Sequence, residues 1–88
     1  MRFTWHESKR RANLPKHGLD FPDAAKGFDG PMVLFEDQRF DYGEQRMVGI
    51  GLVSALVVHV ESEETIHVIS MRKADSDETN LYYQNAGL

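Results

Sequence analysis

Residues 46–71 read RMVGIGLVSALVVHVESEETIHVISM, three apolar runs divided by a small-residue break and an acidic turn. In Arg46 to Val53, Val48, Ile50 and Leu52 alternate with Met47, Gly49, Gly51 and Val53, the pattern of a strand with two faces. Two glycines on one face leave room for close helix packing or a bulge. Ala55 to Glu61 and Thr65 to Met71 are rich in Val and Ile and flank Ser62-Glu63-Glu64. Connections this short cannot make parallel crossovers, so these runs are expected to form an antiparallel meander. Met32 to Glu36, short and apolar, adds a strand before them.

Helical signals lie on either side. Thr4-Trp5-His6-Glu7 matches a capping box, with Thr4 as the first cap. Pro15 and Gly18 then place the end of that helix near Asn13 or Leu14. Trp5, Ala12 and Leu14 are its expected inward residues. A second short helix begins at Asp20, with Phe21, Ala24, Ala25 and Phe28 as its buried stripe, and Asp29-Gly30-Pro31 breaks it. Asp75 and Glu78 repeat the capping pattern ahead of a third helix that ends before Gly87. Helix, helix, strands, helix describes a single α+β domain over residues 1–88, with a small antiparallel sheet, two N-terminal helices and a C-terminal helix.

Composition narrows the function classes. Hydrophobic residues at 41% and charged residues at 27% describe a globular chain. The longest stretch free of Asp, Glu, Lys, Arg and His, Met47 to Val58, is too short to span a bilayer. Neither a secretory signal nor a membrane segment is visible, so the expected location is cytoplasmic. With no cysteine there is no disulfide, thiolate zinc site or cysteine nucleophile. No P-loop, dinucleotide fingerprint or His-Glu-x-x-His run is present, and no serine lies in a nucleophile elbow. No cofactor and no metal are expected.

The net charge of −4 is unevenly spread. Residues 1–17 hold five Lys/Arg against one acid, whereas residues 18–45 hold two against seven. An acidic whole argues against a nucleic-acid binder, yet the basic N-terminal segment is a local footprint for a polyanion. On charge alone the plainer reading, a charged helix face in water, comes first.

Several residues are candidates for chemistry. A three-residue loop at Ser62-Glu63-Glu64 would set His59 opposite His67, with Glu61 nearby. Such a pair could transfer protons near neutral pH or simply be half-exposed sheet residues. Lys16-His17-Gly18 reads as a C-cap, or as a phosphate grip beside a proton-transfer imidazole. Arg72-Lys73, leaving the last strand, and Arg46, entering one, are phosphate contacts or ordinary salt-bridge partners. Tyr42, Tyr82 and Tyr83 either stack on bases or close the edge of the core.

Phe3-Thr4-Trp5-x-Glu7-x-Lys9 followed by Asn13-x-x-Lys16-His17-Gly18-x-x-Phe21 resembles the N-terminal signature of BrnT-type toxins. Asp29-x-Pro31, Tyr42-Gly43-Glu44-Gln45-Arg46, Ile50-Gly51 and Ile69-Ser70-Met71-Arg72-Lys73-Ala74 follow in the family's order. The resemblance covers about residues 3–74. It implies a RelE-like fold and a ribonuclease that arrests translation. The partner it implies is a BrnA-type antitoxin with a ribbon-helix-helix domain, through which the complex reaches its DNA operator.

The implied chemistry is metal-independent RNA cleavage through the 2′-hydroxyl. Lys16, His17, Arg46 and Arg72 are the expected catalytic residues: Arg72 and Lys16 stabilise phosphate, Arg46 adds a third cation, and His17 moves a proton. Lys73, His59 and His67 are expected substrate contacts. Two departures remove positive charge: Asp75, Asp77 and Glu78 stand where the family has a basic helix, and His67 stands where arginine is common. The alternative is a non-catalytic module that only binds the antitoxin and co-represses its operon.

Overall fold

The protein is described by a computed structural model covering residues 1–51 and 54–86. Leu52 and Val53, expected on the first strand of the meander, lie outside the described residues, as does Gly87. The elements run β1 (Arg2–Trp5), α1 (Glu7–His17), a 3-10 turn (Phe21–Asp23), α2 (Ala24–Phe28), β2 (Met32–Glu36), β3 (Met47–Gly51), β4 (Ala55–Glu61), β5 (Thr65–Lys73) and α3 (Ser76–Asn85).

One five-stranded sheet has the order β1-β5-β4-β3-β2. The meander from β2 to β5 is antiparallel, as its short connections require. The sheet as a whole is mixed rather than antiparallel, because β1 pairs with β5 in parallel, setting Thr4 beside His67. A short connection constrains only consecutive strands, and β1 and β5 are separated by most of the chain.

Each face of the sheet carries its own apolar cluster. Phe21 and Ala24 pack on Ala55, Val57, Ile66, Val68 and Met71 on one side. Tyr82 of α3 packs on Val48, Ile50, Leu56 and Val58 on the other. Coverage on both sides explains why Ala55 to Val58 are buried without a break, where a half-exposed strand would alternate. The glycine face of β3 is used for close packing, since a Cβ on Gly51 would lie 3.0 Å from Gly27 Cα of α2.

The first helix differs from its expected form. Thr4 belongs to β1, and His6 is the N-cap, with no side-chain capping bond. Glu7 pairs with Arg10 in place of completing a capping box. The helix also runs through Pro15 to His17, and Gly18, at φ 70°, closes it by donating to the Leu14 carbonyl. Pro15 costs only the bond to the carbonyl of Arg11, a residue on the solvent side.

Ala12 and Leu14 are exposed, and Asn13 is the buried residue of α1. Its Oδ1 accepts from the Met71 N–H at 3.2 Å, and its Nδ2 donates to the Leu19 carbonyl at 3.3 Å. Asn13 thereby fastens α1 along β5, beyond the point where β1 stops pairing.

Register corrects the histidine pair. Between Val58 and His59 the partner on β5 jumps from Ser70 to Val68, leaving Ile69 as the extra residue of a bulge. The hairpin closes with Glu61 opposite Ile66 in place of Thr65, so His59 faces Val68 and His67 faces Val60. Neighbouring register positions put the two imidazoles on opposite faces of the sheet.

Candidate ribonuclease groove

Two clefts adjoin along β5. The first, about 300 Å³, is lined by Ser70, Met71 and Arg72 of β5, His17 of α1, Glu78 of α3 and the segment Phe35 to Arg39. The second, about 220 Å³, takes Val68 and Ile69 of β5, His67, His6 and Lys9 beside α1, and Glu44 and Arg46 from the approach to β3. Consecutive residues of β5 floor both, so together they form one groove. Its walls are α1 and the connection from β2 to β3.

The wall on α1 follows from helical spacing. His6, Lys9, Asn13 and His17 fall at three- and four-residue intervals on one stripe. Asn13 docks that stripe on β5, and the others line the groove at its two ends. The opposite wall is built around Asp37, buried although charged. Its carboxylate accepts from the Arg39 guanidinium and backbone N–H and from the Tyr42 hydroxyl. The Arg39 bonds hold the Asp37 carboxyl down at about 2.

The ends differ electrically. In the first cleft Arg39 and Arg72 stand against Glu36, Asp37 and Glu78, and both arginines are paired. The Glu78 carboxylate raises the Arg72 pKa, and Arg72 in turn lowers that of Glu78. In the second cleft Lys9 and Arg46 stand against Glu44 alone, with two imidazoles beside them. Arg46 lies over the Tyr42 ring at 3.9 Å and reaches Glu44 only at 3.4 Å.

The expected site residues thus divide. His17 and Arg72 line one cleft, and Arg46 and His67 the other. Lys16 and Lys73 are exposed and line neither. His59 is sealed in the core, with Nδ1 bonded to the Val57 carbonyl, Nε2 3.3 Å from Glu61 and Phe28 packed on its ring. His6 and Lys9 were not foreseen. The helical stripe ending at His17 was the signal that could have found them.

No group of three or more His, Asp or Glu side chains with the geometry of a metal site occurs among the described residues. No helix among them is long and apolar enough to cross a membrane.

Residues 5–78 match the family described as the ribonuclease toxin, BrnT, of type II toxin–antitoxin systems. The crystal structure of the Brucella abortus ribonuclease toxin, BrnT, is similar at a TM-score of 0.68 and 32% identity, covering 86% of this chain and 99% of that one. No curated protein matches. The matched residues include every side chain lining the two clefts, and the chain belongs to the BrnT family of ribonuclease toxins of type II toxin–antitoxin systems.

Proposed function

We propose that this chain is an endoribonuclease that cleaves RNA without a metal, through attack of the 2′-hydroxyl, and so arrests translation in the cytoplasm. One observation carries the reading: a single groove floored by β5 presents an imidazole and a guanidinium at each end, His17 with Arg72 and His67 with Arg46. Cations along a groove track a phosphodiester backbone, and imidazoles move protons at neutral pH. Lys16 and Lys73, exposed next to His17 and Arg72 in sequence, add positive charge outside the groove. His59 is left out of the site because its ring is buried.

The toxin is held silent by a BrnA-type ribbon-helix-helix antitoxin, and the complex reaches its operator through that antitoxin. The RelE likeness belongs to the same proposal. Its test is an RNA-cleavage time course in EDTA at low salt, with Arg46→Ala and Arg72→Ala alongside. Cleavage by the wild type, weakened in both variants, is the expected result. Intact RNA after incubation with the wild type, with and without ribosomes, would sink it.

A second reading is a non-catalytic module that only binds the antitoxin and co-represses the operon. The two-pronged pairing of Arg72 with Glu78 favours it, since that guanidinium is already neutralised. Growth arrest on expression of this chain alone, relieved by its antitoxin, would exclude it.

A further inference from the structure

We propose that the reacting phosphate is held at the His67 end of the groove, where His6 and His67 form the proton-transfer pair and Lys9 and Arg46 the cations. The inference rests on the ribonuclease reading and names the residues that would perform it.

Of the four histidines, His59 is enclosed and His17 stands alone in a cleft whose arginines are both paired. Only His6 and His67 meet. Their rings lie 5.0 Å apart and nearly perpendicular, at 77°, in one cleft. Two imidazoles lining one cleft supply the separate base and acid that such cleavage requires.

The strand missing from the sequence reading builds this pair. Thr4 and His67 are register partners in the parallel β1–β5 ladder, and the Thr4 Oγ1 lies 2.9 Å from His67 Nδ1. That bond fixes the His67 ring and leaves Nε2 for a ligand. His6 follows one residue after β1 ends, and Lys9 is one helical turn beyond it.

The charges suit an anion. The charged groups lining the cleft are Lys9 from α1 and Glu44 and Arg46 from the approach to β3; among the described residues no other titratable side chain lines it beyond the two histidines. Lys9 makes no ion pair among the described residues, and Arg46 lays the face of its guanidinium on Tyr42 and turns Nε to Glu44, leaving its two Nη groups as donors at the edge. Before either imidazole is protonated this cleft has one more cation than acid, whereas the His17 cleft has one more acid than cation.

The step balances without a co-reactant. One imidazole takes the proton of the 2′-hydroxyl as O2′ bonds to phosphorus. The P–O5′ bond breaks, and the other imidazole, protonated, gives its proton to O5′. The products are a 2′,3′-cyclic phosphate and a 5′-hydroxyl, and proton exchange with water resets the pair.

The test is cleavage of a single-site oligoribonucleotide by wild type, His6→Gln, His67→Asn and Thr4→Val, from about pH 5 to about pH 9 across the histidine range. Ribosomes are added to every reaction if the wild type needs them. The wild type should give a bell-shaped rate profile and a 2′,3′-cyclic phosphate end. Each histidine variant should lose on the order of 10²-fold or more and one limb of the bell. Thr4→Val keeps both imidazoles and should lose rate while retaining both limbs.

His6 is exposed and makes no side-chain cap bond, so His6→Gln remains the deciding variant should His67→Asn fail to fold. A His6→Gln enzyme with wild-type rate and profile overturns the inference and leaves the ribonuclease reading standing. A wild type that cuts nothing under any of these conditions removes both.

Discussion

Arg72 and Glu78 are joined by two parallel hydrogen bonds, Nη1 to Oε1 and Nη2 to Oε2, each 2.7 Å long. The same carboxylate accepts from the Asp75 N–H at 2.9 Å, while the Glu78 N–H donates to Asp75 Oδ1 at 2.8 Å. Glu78 therefore caps α3 and holds the guanidinium at the end of β5 in one arrangement. An RNA phosphate approaching Arg72 must compete with a carboxylate already in bidentate geometry.

Glu78→Gln should release part of that hold. The expected result is tighter RNA binding at low salt, with the salt slope of log affinity steeper by about 1 for one freed phosphate contact. A side-chain amide still reaches the Asp75 N–H, so the helix cap is largely kept. Fluorescence anisotropy with a 2′-O-methyl oligoribonucleotide, which cannot be cleaved, measures this. An unchanged affinity and slope would show that Arg72 is a structural partner of α3 and no part of the RNA path.

Asn13→Ala should destabilise the fold more than an ordinary change on α1. It orphans the buried Met71 N–H and the Leu19 carbonyl together, at a cost of about 1–3 kcal/mol for each group left unsatisfied. For a domain of this size, each kcal/mol lowers Tm by roughly 4–8 °C. Asn13→Asp keeps an acceptor for Met71, but it buries a charge and turns an oxygen on the Leu19 carbonyl, so at neutral pH its melting curve should recover little of the loss.

The two glycines of β3 should respond differently to alanine. At Gly51 the new Cβ meets Gly27 backbone atoms at 3.0 and 3.1 Å, so α2 itself must shift. At Gly49 the nearest atom is Met32 Sδ at 2.8 Å, the far part of a flexible side chain that can turn away. Gly51→Ala is expected to cost about 1–3 kcal/mol and Gly49→Ala less. Chemical denaturation of both, with m-values compared, checks the order.

How far the sequence could be read depended on whether a pattern was local. β4 was legible end to end because its β-rich run sits between a serine and an acidic turn. The Asp75–Glu78 capping box was legible because both of its bonds lie within one helical turn. Thr4-x-x-Glu7 has the same spelling, but pairing with β5, over sixty residues away, drew Thr4 into a strand. The hairpin register has no local mark either: the loop closes with Glu61 opposite Ile66 and not Thr65, and that moved His67 by one position. Arg46 and His67 could therefore be picked as residue types. Their companions His6 and Lys9 became visible only once β1 and α1 were placed.

Acid should unfold this protein partly through Asp37. Its folded-state value of about 2 lies below the ordinary 3.8, with Arg39 as the main cause. A depressed carboxylate adds stability that is complete above its unfolded value and is lost as pH falls through the folded one. The contribution therefore disappears between about pH 4 and pH 2, within the window these two values define. Asp37→Asn should be less stable than the wild type at neutral pH, because the charged bonds from Arg39 become weak ones. The gap should narrow on acidification, as the wild-type carboxyl takes up its proton. Melting temperatures of both proteins at pH 7, 4 and 3 test this; a constant gap would assign the acid sensitivity to another group, Glu7 being the other carboxylate held near 2.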